Sequence, residues 1–231
     1  MIIALYDRYQ CLKQRLVKSH TVSIAYAQGQ THCIGLLYEK TYTKNGHLKL
    51  VIEDPTGFLT CIITQQMPQF NLAQQLPLDC VLAVQGNVKE GTCFVQHLFM
   101  PSLHQKKIAD VHMYCRVHND MLEVHYQDTM YNIPHQKQSL TRYEPYVHEQ
   151  HVSPTITSDI VLYNRVLDDA LSVEMILMCS HLHPCHPQRD GIQDALLLRT
   201  APKILVVRST QNAVTYVHNI VCVEVASEVK V

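Results

Sequence analysis

The chain has 231 residues, 47% of them hydrophobic and 17% charged, enough for two small domains or one large one with a packed core, which excludes wholesale disorder. Nineteen basic residues against 20 acidic ones give a formal charge of −1, which argues against a protein whose main work is gripping phosphate backbones with a basic stripe of its own. No apolar run reaches the roughly 18 residues that span a bilayer, and nine scattered cysteines without a CxxC pair fit a reducing intracellular compartment, cytoplasm or nucleus, better than a disulfide framework.

The first residues, Met1 to Leu5, are apolar but meet Asp7 and Arg8 too early for a signal peptide. Residues 5 to 18 read as a short amphipathic helix, with Leu5, Tyr9, Leu12 and Leu16 at spacings of three and four and Arg8, Lys13, Arg15 and Lys18 on the wet side. A β-rich block follows. Residues 32 to 41 form a first strand, and Asn45-Gly46 is a strong turn signal. From 48 to 54 the chain alternates, with Leu48, Leu50 and Ile52 on one face and His47, Lys49, Val51 and Glu53 on the other. Pro55-Thr56-Gly57 turns it into a strand at 58 to 64. A Gln-rich helical stretch at 68 to 75 separates this strand from another at 80 to 88. Lys89-Glu90-Gly91 then makes a tight hairpin into a last strand at 92 to 99. Three strands, a short helix and a closing hairpin is the order of an OB-fold barrel.

Beyond Pro101 the pattern loosens. Residues 104 to 158 mix short alternating runs around Met121, Val124 and Tyr126 with Pro, His, Gln and Thr. Residues 159 to 171 look helical, and Val173 to Cys179 is a continuous apolar run, as in a strand buried on both faces. Residues 192 to 199 suggest another helix, while 204 to 207 and 214 to 225 suggest two or three closing strands. The expected organisation is an N-terminal helix and linker at 1–30, a barrel at 31–103, and a small α/β domain at 104–231.

Three segments carry a family resemblance: Ile34 to Lys40, then Thr43-Lys44-Asn45-Gly46-His47, then Ile52 to Gly57. Together with Tyr6, Asp7, Arg8, Tyr9 and Leu12 ahead of them and Phe99-Met100-Pro101 behind, they resemble the OB domain of the small subunit of archaeal family D DNA polymerases. The likeness covers residues 5 to 103. It implies an accessory (B) subunit that scaffolds a catalytic large subunit in DNA replication, with DNA touched weakly or through the partner. In that family the barrel is followed by a calcineurin-like phosphoesterase domain, metal-dependent in the archaeal proteins and inactive in the eukaryotic relatives. Two metals need clustered carboxylates and histidines to clamp the attacking and leaving oxygens. Here Asp110-Val111-His112 keeps an Asp-x-His form, but Cys179-Ser180-His181-Leu182 stands where Gly-Asn-His-Asp is expected, and no Gly-Asp or Gly-His-x-His remains. Pro202 to Val206 instead looks like the end of the inactive eukaryotic subunits. The resemblance therefore implies a reduced, inactive phosphoesterase-like domain, no enzyme, no cofactor and no metal, with Asp110, His112 and His181 the residual candidates for a nuclease site.

Two further signals bear on binding. His181, His183, Cys185 and His186 are zinc-ligand types, but structural sites draw ligands from two separated knuckles, and Pro184 and Pro187 interrupt this run; a surface loop is the plainer reading. A stand-alone single-stranded nucleic-acid-binding barrel, the alternative function, needs exposed aromatics and basic residues on its middle strands. Lys44, His47, Lys49 and Phe58 are the candidates; Phe58 is expected as the only aromatic there, with Val51, Thr60 and Ile62 crowding the face.

Overall fold

The computed structural model describes residues 3–119, 121–134, 159–166, 172–180 and 197–231. They fall into two units: Met1–Ser102 with Met175–Arg199, and Leu103–Glu174 with Thr200–Val231. Among the described residues no helix is long and apolar enough to cross a membrane.

The first unit opens with α1 (Ile3–Leu16), whose last turn carries Lys13 and Arg15, cations suited to the negative end of a helix dipole. Its stripe of Leu5, Tyr9, Leu12 and Leu16 is buried with Ile34, Leu36, Val81, Ala83 and Leu197. Arg8, expected on the wet side, is fully buried, its guanidinium donating from Nη1 to the carbonyl of Asp79 at 2.7 Å. Charge alone did not place it outside, because a long side chain can carry its donors across an apolar face to a backbone acceptor.

Behind the helix stands a closed barrel of five strands: β1 (Gly29–Tyr42), β2 (Leu48–Asp54), β3 (Gly57–Ile63), β4 (Val81–Lys89) and β5 (Thr92–Phe99), with α2 (Phe70–Gln75) between β3 and β4. The spatial order is β1-β2-β3-β5-β4, and β4 closes back onto β1. The length of β1 makes closure possible: residues 29 to 36 pair with β4, residues 36 to 42 pair with β2, and a bulge separates Leu37 from Glu39. Leu48, Leu50, Ile52, Leu59, Cys61 and Ile63 point inward and are buried, as the period-two pattern requires. Each fully buried aliphatic side chain contributes about 1.5–3 kcal/mol of transfer free energy.

The connections explain the register. Between β1 and β2 the Gly46 amide donates to the Thr43 carbonyl at 2.9 Å, and Gly46 itself sits at φ +76, so the Asn45-Gly46 signal is realised as a longer loop with a left-handed glycine. Between β2 and β3 the buried Asp54 carboxylate accepts from the Thr56 amide at 2.7 Å, the Thr56 hydroxyl at 2.5 Å and the Ile24 amide at 3.0 Å. It thereby fixes both the turn and the short 3₁₀ segment Ile24–Tyr26. Lys40 Nζ holds the Gln74 and Leu76 carbonyls at 2.6 and 2.7 Å, tying the end of α2 to β1.

The second unit is built of strands. β6 (Met113–His118), β7 (Met121–Tyr126) and β8 (Thr129–Pro134) form an antiparallel meander edged by β13 (Glu228–Lys230). β9 (Ile160–Val166), β10 (Ile204–Arg208) and β12 (Ile220–Val225) run parallel, with β11 (Ala213–Val217) antiparallel at the edge. Side chains from both sheets, among them Cys115, Leu122, Val124, Ile160, Leu162, Val206 and Val223, share one core.

Three expectations for this half change. The stretch from 159 is a strand rather than a helix, and the apolar run 173–179 is helix α3 (Val173–Cys179) rather than a strand. Short apolar runs without periodicity fit either element, and here the parallel partner β10 decides for β9. Residues 192 to 196 lie outside the described residues, and 197 to 199 are not helical. The described part of 104–231 is accordingly β-rich, with less helix than an α/β domain.

Candidate binding face of the barrel

Alternation along the strands sends one set of side chains inward and the other to the surface. On the outside, Thr41, Lys49, Ile62 and Phe94 follow one another across β1, β2, β3 and β5. The next row holds Glu39, Val51, Thr60 and Thr92, and beyond it Glu53 pairs with Phe58.

Lys49 and Phe58 lie on this outward face but several register positions apart. Lys44 and His47 belong to the β1–β2 loop, next to the Lys49 end. Lys44 is exposed; His47 is half-buried, its amide donating to the Thr43 hydroxyl at 3.1 Å, and its Nδ1 is buried without a hydrogen-bond partner. Val51, Thr60 and Ile62 are half-buried on the same surface.

Phe58 is not the only aromatic there. Tyr38 and Phe94 are exposed as well, and the Tyr38 and Phe58 rings meet edge to face at 5.1 Å. For Phe94 the signal stood in the sequence: its neighbours Cys93 and Val95 point inward, so it must point out. Tyr38 was hidden because the bulge turns two successive residues, Tyr38 and Glu39, to the surface, breaking the alternation.

Charge on this face is mixed. Lys49 is the one cation on the paired outward positions of β1, β2 and β3, against the carboxylates of Glu39 and Glu53; the Lys40 ammonium is committed to α2. Single-strand binding depends on aromatic platforms set in a positive groove. The rings are present and the groove is not positive.

On the other side of the barrel the imidazole of His32 is fully buried, Nδ1 bonded to the Thr21 hydroxyl at 2.9 Å and Nε2 without a partner. Burial, with Lys18 and His20 nearby, pushes its pKa down to about 4. It is therefore a neutral packing group at ordinary pH.

Two of the residual metal candidates lie among the described residues. Asp110 and His112 stand 3.9 Å apart with side chains 96% and 91% exposed, an open surface pair with no low-dielectric surround. No group of three His, Cys, Asp or Glu able to hold a metal ion occurs among the described residues. His181 and the run to His186 lie outside the described residues.

No family model matches the chain, and no curated protein does. Similarities to solved structures are partial. Asparaginyl-tRNA synthetase from Pyrococcus horikoshii, complexed with asparaginyl-adenylate, is 22% identical at a TM-score of 0.29, covering 31% of this chain and 19% of that one. The tRNAIle2 agmatidine synthetase TiaS in its apo form gives 17% identity and a TM-score of 0.29, over 39% of this chain and 21% of that one. The complex of TiaS with tRNA(Ile2) and ATP gives 13% identity and a TM-score of 0.29, over 47% and 29%. The chain thus spans less than a third of the length of each.

Proposed function

We propose that this chain is a non-catalytic accessory (B) subunit of a DNA polymerase, working inside the cell in DNA replication as a scaffold for a catalytic large subunit. In this reading the barrel is an OB domain and the second unit a reduced, inactive phosphoesterase-like domain. The observation that carries the reading is the barrel's order, β1-β2-β3-β5-β4, with β3 parallel to β5 and a helix between β3 and β4. The segments that resemble the archaeal family D small subunit fall on its first half: Ile34 to Lys40 within β1, Thr43 to His47 at the first loop, and Ile52 to Gly57 from β2 into the second turn. In the sequence, Cys179-Ser180-His181-Leu182 in place of Gly-Asn-His-Asp supports the inactive reading.

Affinity capture of the tagged full-length chain from its native source, followed by mass spectrometry, tests this. A polymerase catalytic chain enriched in near-equal amount is the expected result. Capture of the chain with no polymerase overturns it.

A second reading, a stand-alone single-stranded nucleic-acid binder, draws support from Tyr38, Phe58 and Phe94 exposed on the barrel. Anisotropy of a labelled thymidine 20-mer at low and moderate salt tests it, since tight binding by the lone chain that weakens steeply with salt is its signature.

A further inference from the structure

We infer that the cavity between α1 and the connection that follows it docks a segment of the partner polypeptide carrying an aliphatic side chain flanked by carboxylates; the inference rests on the scaffold reading and names what the partner presents. The cavity measures about 140 Å³. A volume of roughly 150 Å³ holds a benzene ring, so this one takes a single group the size of a leucine side chain. Its apolar lining comes from the Tyr9 ring, Val17, Val22 and Ile34. Val17 and Val22 are 52% and 36% exposed, apolar surface left in contact with water. The wall is fixed before any partner arrives. The Lys18 amide donates to the Thr21 hydroxyl at 2.8 Å, the Thr21 amide to the Lys18 carbonyl at 3.0 Å, and the Val22 amide to the His32 carbonyl at 3.0 Å. A preformed cavity spares the complex the cost of ordering it.

Charge complementarity selects the flanking groups. Lys13 and Lys18 also line the cavity, and among the described residues no Asp or Glu does. Their ammonium groups lie over aromatic rings, Lys13 5.3 Å from the Tyr9 centroid and Lys18 3.5 Å from that of Phe99, and neither forms an ion pair among the described residues. An ammonium on a ring face keeps donors for a carboxylate. The C-terminal end of α1 sets only about half a negative charge against the two positive ones, so the rim stays cationic. Asp54, whose charge reaches Tyr9 from within the fold, is buried and already accepts from the Ile24 amide and from Thr56. A nucleic-acid strand would offer phosphates to the lysines but no aliphatic group to the cavity, and strand binding draws on a longer basic track than two lysines.

The test uses the purified full-length chain and four labelled probes: a peptide with one leucine between pairs of aspartates, its counterpart with glycine for leucine, its counterpart with lysine for aspartate, and a thymidine 20-mer. Fluorescence anisotropy is expected to show the aspartate–leucine peptide bound, the glycine peptide bound about tenfold more weakly, and the lysine peptide unbound. Lys13→Glu and Lys18→Glu should each weaken the aspartate–leucine peptide about tenfold or more, since like charges then meet at the rim. Lys13→Gln and Lys18→Gln, which only remove charge, should give a smaller loss in the same direction and stand in for a reversal that does not fold. Lys106→Glu, the same charge change at an exposed position of the second unit, should leave binding unchanged, and circular dichroism checks that each variant is folded. A peptide that binds wild type and both lysine sites' variants equally overturns the inference. So does a glycine peptide as tight as the leucine one, or no peptide binding at millimolar concentration. Thymidine binding that falls on Lys13→Glu also overturns it and assigns the lysines to nucleic acid. Native-source capture separates this from the scaffold reading. A polymerase chain that co-purifies equally with wild type and with the double variant Lys13→Glu, Lys18→Glu sinks the docking site and leaves the scaffold. Peptide binding of the expected pattern with no polymerase captured does the reverse.

Discussion

The Arg8 guanidinium, wholly enclosed between α1 and the barrel, gives a hydrogen bond of 2.7 Å to the carbonyl of Asp79, a residue held at φ +62 just before β4. The bond joins the N-terminal helix to the connection that closes the barrel, across a sequence separation of 71. Truncation would remove this donor from a half-buried carbonyl and leave a cavity under the helix. Arg8→Ala is therefore expected to cost about 3 kcal/mol, with a fall in urea midpoint and little change in slope. A loss below about 0.5 kcal/mol would show that the helix is not held in this way.

Two glycines separate space from conformation. A methyl group on Gly86 would lie 2.3 Å from the Phe94 carbonyl oxygen and 3.0 Å from Cys93 Sγ, inside the bulged β4–β5 pairing. Backbone cannot yield there as a flexible side chain would, so Gly86→Ala should destabilise by 3 kcal/mol or so, at the upper end for overpacking. Gly91 in the hairpin turn has open space around it and only its φ of +72 to lose. Gly91→Ala should cost about 1 kcal/mol. Thermal unfolding of the two variants side by side checks the order, and a reversal would mean that the barrel relaxes at Gly86.

Much of the barrel was legible in the sequence because each strand had its own signal. Leu48, Leu50 and Ile52 alternate cleanly, and Asp54-Pro55-Thr56-Gly57 and Lys89-Glu90-Gly91 are turn chemistry with a mechanism. The bulge at Tyr38 was not legible, since it depends on how the far half of β1 has to bend from β4 to β2. Nor was the choice between strand and helix at 160 and 173. Ile160, Val161 and Leu162 are all buried, a run both elements tolerate, and only pairing with Ile204, Leu205 and Val206 makes it a strand. The binding face suffered for the same reason. Phe58 was found by position in a regular strand, whereas its ring partner Tyr38 sits where regularity stops.

The reading of the second unit as catalytically inactive has a direct assay. Purified chain with manganese and labelled single- or double-stranded DNA is expected to give no digestion, because the Asp110–His112 pair is open to solvent and nothing clusters with it among the described residues. Manganese-dependent digestion that disappears in His181→Ala would establish a residual nuclease instead.

His32 supplies the pH dependence. Its pKa in the folded chain is pushed down to about 4 from the ordinary 6.5, chiefly by burial. A proton therefore binds the unfolded chain more readily than the folded one. The stability tied to the neutral imidazole is complete above pH 6.5, falls as pH drops from there to about 4, and levels off below. The loss on this account is at most about 3 kcal/mol. Other carboxylates and histidines titrate in the same window, so the informative quantity is a difference. His32→Gln keeps a polar group near Thr21 but cannot take up a proton. Urea unfolding of the variant should show a shallower decline between pH 6.5 and 4 than wild type, while its stability at pH 7.5 falls modestly from altered packing against Phe99, 5.7 Å away by ring centroid. Parallel declines in the two proteins would mean that the imidazole is solvated and titrates like an ordinary histidine.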